Sequence, residues 1–166
     1  MRSVSTDVSV ARSKKYRLLM SIVFVCFVSI AHARVWGTKP FENDAAVTWI
    51  ADLKASGADS IVSALKRVNE EKSGPVPSDV CSTAIAAASV VAAARDGSMD
   101  LLDPDALAWL QSSGFKPDGK LSKQAKTAVQ TCRGASRSEL YMDWMAMTNA
   151  PAWIDIVKTL MKRLED

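Results

Sequence analysis

Between Ser78 and Gly97 the chain carries alanine at 84, 86, 87, 88, 92, 93 and 94, interleaved with Val80, Ile85, Val90 and Val91. Alanine has the highest intrinsic helix propensity and Gly97 supplies a stop, so the segment predicts a helix over about 79–95 capped by Ser78. Such a helix is apolar around most of its circumference and belongs inside a protein, where its small side chains let neighbouring helices come close. A chain organised this way must supply further helices to cover it. The expectation is an all-α fold with this helix at the centre.

The rest of the pattern agrees. No run of alternating β-branched residues resembles a strand. Ala46, Trp49, Ile50 and Leu53 fall at i, i+3, i+4, i+7 and predict a helix over 44–55, closed by Gly57 as a left-handed cap. Ile61, Leu65 and Val68 predict a second over 60–71, with Asp59 as its N-cap. Asp103-Pro104-Asp105 opens a fourth helix that stops at Gly114, and a fifth fits 123–132, beginning at Ser122. Ser136-x-x-Glu139 has the spacing of a capping box, and it opens a sixth helix that places Leu140, Trp144 and Met147 on one side. After Asn149-Ala150-Pro151, the last helix aligns Trp153, Ile156, Val157, Leu160 and Leu164, with Lys162 and Arg163 suited to its C-terminal dipole. Seven short helices on short loops make one compact domain over residues 34–166.

Residues 1–33 are of another kind. Arg12, Lys14, Lys15 and Arg17 precede an uncharged apolar run of 13 residues, Leu18 to Ile30, and then Ala31-His32-Ala33. This is the succession of a cleaved secretory signal peptide, cut after Ala33. The alternative is an uncleaved membrane anchor, but as a helix the run reaches only about 20 Å, short of the ~30 Å hydrocarbon core, and no membrane association is expected once the leader is removed. The expected location is periplasmic or secreted. Export leaves Cys81 and Cys132 in a compartment where disulfides persist, and the pairing joins the two helix ends if these helices run antiparallel; the alternative is two buried free thiols.

Without the leader, 16 basic and 17 acidic side chains remain, which is not the clustered basic excess that nucleic acid requires. The single histidine, His32, leaves with the leader. That removes Ser-His-Asp and Cys-His catalysis and the usual zinc ligand sets, and no cofactor or metal is implied. Other constellations have bland readings. The five tryptophans (36, 49, 109, 144, 153) fit core stripes better than a sugar- or peptide-binding groove. Asp100, Asp103 and Asp105 lack the glycine and distal glutamate of a calcium loop. Lys116, Lys120, Lys123 and Lys126 read as a solvated face, and Met142, Met145, Met147 and Met161 as core filling or a pliable surface.

The densest run of unusual residues is Trp36-Gly37-Thr38-Lys39-Pro40-Phe41-Glu42-Asn43-Asp44. Gly37 permits a positive φ, Pro40 fixes its own, and Asn43 or Asp44 can cap the helix that follows. Trp36 and Phe41 are expected to anchor the turn near Trp49 and Trp153, making the segment a structural clamp first and a contact surface second. A chemical reading pairs Glu42 or Asp44 with Glu139 or Asp143 for acid–base work.

The run WGTKPFENDAAVTWIADL resembles the opening of the bacterial family named domain of unknown function 4259, whose members begin near Trp-Gly-Thr-Gly-Pro-Phe followed by Asn-Asp. AIAAASVVAAARDG resembles the family's central helix and SELYMDWMAMTNAPAWIDIVKTLMKRL its closing pattern, so the resemblance spans 35–164. Lys39 stands where members commonly carry glycine, and many members start at the motif without a leader. The resemblance implies a fold and no mechanism. Three functions follow from size, compartment and missing histidine. The first is a protein-binding module with an inhibitor- or immunity-type role. The others are a carboxylate-based hydrolase and a structural envelope component. The first is favoured, with another protein as partner.

Overall fold

A computed structural model describes residues 37–165. The leader expected over 1–33 and Trp36 lie outside them. Seven α-helices follow one another: α1 (Asp44–Ser56), α2 (Ala58–Glu70), α3 (Ser78–Asp96), α4 (Pro104–Ser113), α5 (Gly119–Cys132), α6 (Glu139–Met145) and α7 (Ala150–Arg163). The described part is all-α and forms one compact unit. Among the described residues, none of the helices is long and apolar enough to cross a membrane.

The alanine-rich segment is the central helix. α3 touches each of the other six helices. Ala84, Ala86, Ala87, Ala88, Ala92 and Ala93 are buried, as are Val80, Ile85, Val90 and Val91. Small side chains on several faces let six neighbours share one axis, which a ring of leucines would hold apart. The neighbours bring the bulk: Leu53 from α1, Ile61, Leu65 and Val68 from α2, Val129 from α5, Trp144 from α6, and Val157 and Leu160 from α7 are buried. Truncating one of these leucines to alanine typically costs ~2–5 kcal/mol.

Several helix starts differ from the sequence reading. α2 begins right after Gly57, which both ends α1 and starts α2. Its φ of 58° with ψ of −133° is open to glycine rather than the left-handed helical cap expected, and Asp59 sits inside the first turn, not at the cap. Pro77, not Ser78, takes the cap position of α3, because its fixed φ already sets the extended geometry. The Ser78 hydroxyl instead donates to Asp143. α5 starts at Gly119, where the Asp118 side chain accepts from Leu121 N at 2.7 Å, and Ser122 lies within the helix, donating to Asp118 O.

The capping box at Ser136 does not form. Gly134 to Arg137 close a tight turn, and Val76 and Ser138 make an isolated parallel bridge, with Val76 N donating to Arg137 O and Glu139 N to Val76 O. That bridge extends the backbone at Ser138, so Ser138 caps α6 by accepting from Tyr141 N. α6 then ends at Met145, and Met147 is exposed rather than stacked with Leu140 and Trp144. On α7, Trp153, Val157, Leu160 and Leu164 are buried, while Ile156 is only half-buried.

Candidate functional site

The turn that leads into α1 is held by its own polar groups. Gly37 N donates to Glu42 O at 3.3 Å, and Glu42 N to Lys39 O at 3.0 Å. The Glu42 carboxylate turns back to accept from Lys39 N at 3.0 Å. Asn43, buried, caps α1 by accepting from Ala46 N at 2.8 Å while its amide donates to Pro40 O at 2.9 Å. Phe41 is buried against Trp49, ring centres 6.5 Å apart. Gly37 serves close packing: a Cβ there would lie 2.0 Å from Glu42 Oε2 and 2.9 Å from Glu42 Cβ. The glycine is needed for close approach. Gly37, Lys39 and Pro40 border a small crevice with Ser82, Leu140, Trp144 and Trp153, so the turn sits over the N-terminal half of α3 and the α6–α7 pair.

A wider concavity lies elsewhere. A groove of about 700 Å³ runs between α1 and α2 and reaches the start of α3. Asp44, Asp52, Asp59 and Asp79 line it, with Arg67 and Trp49. The volume lies within the range typical of ligand sites. Asp44, Asp59 and Asp79 occupy the first turns of three successive helices, where the macrodipole favours them. Asp52 lies mid-helix with no such reason. Among the described residues none of these four carboxylates makes a hydrogen bond or an ion pair, and neither does Arg67. Trp49 is 5% exposed, and its indole N–H is a buried donor without an acceptor among the described residues. Such an unmet group typically costs ~1–3 kcal/mol. Among the described residues no group of three or more His, Cys, Asp or Glu side chains is placed to hold a metal ion.

The carboxylates considered for acid–base work are not gathered. Asp44 lines the groove, Glu42 is folded into its own turn, Asp143 accepts from Ser78, and Glu139 is exposed at the first position of α6. Each described tryptophan packs against another aromatic ring. Trp144 and Trp153 stack with centroids 5.5 Å apart, and half-buried Trp109 packs on Phe115 and faces Gly57. Asp100, Asp103 and Asp105 serve three separate ends: a pair with Arg163, the cap of α4, and a 2.6 Å pair with Lys54 on α1. Met142 and Met145, like Met147, are exposed. Lys126 pairs with Glu165.

Two cross-ties secure the scaffold. Cys81 on α3 and Cys132 at the end of α5 have sulfurs at bonding distance, 2.13 Å, and Cα atoms 5.4 Å apart, a geometry consistent with a disulfide. At the far end of α3, the Arg163 guanidinium grips Asp96 through two bonds of 2.7 and 3.0 Å, meets Asp100 at 3.1 Å and donates to Ser98 O. Arg163's hydrogen bonds hold the Asp96 carboxyl below its ordinary pKa; a hydrogen bond from Ser98 does the same for Asp100, with Arg163's charge adding to it.

The groove was not apparent from sequence, since its acids are scattered over three helices. The opening motif was, although its role is structural in the part described. No curated protein and no solved structure matches the chain. The family described as domain of unknown function 4259 matches residues 35–155, from the turn before α1 into α7. The turn, the central alanine helix and the closing tryptophan pair all fall within that span, and the chain belongs to this family.

Proposed function

We propose that the chain is an exported protein-binding module, its leader cut after Ala33, with an inhibitor- or immunity-type role towards another protein. The carrying observation is the groove between α1 and α2. It has ligand-site volume, and its four carboxylates are left uncompensated by the protein's own cations. Outside the groove, Asp96, Asp100, Asp103, Asp105 and Asp143 each engage a partner. Unused charges collected in one concavity support recognition of a partner that brings the complement. The hydrolase reading has less support, because Glu42 and Asp143 are already engaged and a glycosidase-type pair needs two carboxyls facing each other ~5–10 Å apart in a cleft.

The test is site-specific photo-cross-linking in the producing cell. A cross-linker at Ser63, exposed on the groove wall, is expected to give a discrete protein adduct. One at Thr159, exposed on α7 and away from α1 and α2, is expected to give none. Equal adducts from both positions, or none from Ser63, would refute the assignment.

A further inference from the structure

A second concavity opens where the end of α5 meets α6 and α7. It encloses about 250 Å³ and is lined by Arg133, Tyr141, Trp153, Ile154, Val157 and Lys158. Its walls are held by the scaffold. The Cys81–Cys132 pair fixes the chain beside Arg133, and Trp153 stacks on Trp144 at 5.5 Å and meets Tyr141 edge-on at 6.4 Å. A cavity formed in advance loses little freedom when it fills. Its lining holds two cations and a phenol and no carboxylate. The partner of Arg133 is the Met161 sulfur, to which its guanidinium donates at 3.0 Å. A thioether is a weak acceptor and leaves that charge uncompensated. Among the described residues no carboxylate lies within ion-pair distance of Arg133, and Lys158 reaches Asp155 only at 3.8 Å. The Tyr141 hydroxyl makes no hydrogen bond among the described residues and is not closed off from solvent.

We infer that this cavity binds a carboxylate carried on a small aromatic body, the ring against Trp153, Ile154 and Val157 and the carboxylate at Arg133 and Lys158. The site is separate from the α1–α2 groove and does not depend on the protein-binding reading. Size and charge set the ligand class. The volume falls just below the ~300–1,000 Å³ of drug-sized sites, which leaves room for one ring and a short chain. Tyrosine and tryptophan edges favour an aromatic occupant. An arginine fork matches carboxylate and phosphate alike. Asp155 offsets part of the Lys158 charge, so the mouth suits a monoanion better than a phosphate dianion. A free aromatic acid and the C-terminal residue of a polypeptide share this chemistry.

The experiment uses the purified protein and phenylpropanoate, with phenylpropanamide as the uncharged counterpart and acetate as the ringless one. A proton–carbon spectrum of the Ile154 and Val157 methyl groups reads the site, and its titration gives the affinity. Phenylpropanoate is expected to shift both residues and to bind at least tenfold more tightly than either control, less so as salt rises. The Arg133→Gln/Lys158→Gln variant should weaken it about tenfold, the sum of two exposed charge pairs. Lys54→Gln/Lys66→Gln removes the same charge from α1 and α2, helices that touch neither α6 nor α7, and should change nothing. Acetyl-Gly-Gly-Phe and its amide separate the two sources. Binding tighter than phenylpropanoate and lost on amidation assigns a polypeptide C-terminus, and weaker binding assigns a free acid. Equal binding of phenylpropanamide, indifference to the Arg133/Lys158 variant, or tighter binding of phenyl phosphate overturns the inference. So does binding that emerges only after Trp36→Ala, since the cavity's occupant is then the chain's own tryptophan. If phenylpropanoate leaves the methyl groups unmoved while Ser63 still cross-links to a protein, this site is refuted and the protein-binding reading stands.

Discussion

Replacing Arg163 by alanine tests whether the α3–α7 clamp holds the C-terminal helix in place. The side chain is only 11% exposed, whereas Asp96 and Asp100 are 34% and 63% exposed. Its guanidinium makes two bonds to Asp96, one to Asp100 and one to the Ser98 carbonyl. A freely exposed ion pair contributes ~0–1 kcal/mol, and a hydrogen bond to a charged group ~1.5–3 kcal/mol. The Asp96 fork is bidentate and partly shielded, so about 1.5 kcal/mol is assigned to it, discounted for the solvent that still reaches the carboxylate. Asp100 adds a few tenths, and the lost packing of the arginine stem roughly 0.5 kcal/mol. Arg163→Ala should therefore cost about 2–3 kcal/mol. Asp96→Asn should cost about 1–1.5 kcal/mol and Asp100→Asn under about 0.5 kcal/mol. Arg163→Lys, which keeps the charge and loses the fork, should fall between wild type and alanine.

Urea unfolding of the four variants gives these values directly, since the midpoint shift at constant slope is the stability change. Titration supplies a second reading. The folded-state pKa of both aspartates lies below the unfolded value near 3.9, so their contribution is complete above that pH. It is lost as pH falls through the folded values. The gap between wild type and Arg163→Ala should thus be full at pH 7 and shrink towards the packing remainder in strong acid. An Arg163→Ala protein within 0.5 kcal/mol of wild type, or equal costs for the two aspartates, would refute the geometry on which this reasoning stands.

At the other end, reduction of Cys81–Cys132, or a double alanine variant, should cost about 4 kcal/mol from the entropy of a loop of about 50 residues, and non-reducing peptide mapping should find the two half-cystines in one cross-linked pair. In the turn before α1, Phe41→Ala should cost ~3–4 kcal/mol through the cavity left beside Trp49, and Asn43→Ala ~1–2 kcal/mol because both its cap bond and its bond to Pro40 are lost. Thermal melts separate the two. Intact-mass measurement of protein from the envelope fraction should show the chain beginning at Arg34; a soluble product that retains residues 1–33 would refute cleavage there.

Helix number and the central place of α3 were legible because they depend on periodicity, which local polar chemistry does not disturb. Ala46, Trp49, Ile50 and Leu53 lie on one stripe in the sequence and are buried on one stripe in the fold. The starts of helices were less legible, for a consistent reason. Ser78, Ser122 and Ser136 each have cap-forming chemistry, and each is displaced by a neighbour with a stronger claim. Pro77 already fixes the extended backbone, Asp118 offers a carboxylate to Leu121 N, and the Val76 bridge extends Ser138. The last contact joins residues more than sixty positions apart, and no window around Ser136 contains it.

The groove shows the same limit at larger scale. Asp44, Asp59 and Asp79 each look complete as first-turn acids, so local reading assigns them to helix dipoles and stops. What brings them to one cavity is the single-residue joint at Gly57, whose backbone conformation only glycine takes easily, turning α2 back along α1 so that both helices border it with the start of α3. Gly57 reads in the sequence as an ordinary helix stop. An added side chain there must adopt a strained φ, with Trp109 3.7 Å from the Cβ position. A Gly57→Ala variant therefore disturbs the groove without replacing any residue that lines it, and it should weaken the Ser63 cross-link more than it lowers the melting temperature. Should it lower the melting temperature and leave that cross-link intact, the joint matters to stability alone, and the groove's shape is set by α3.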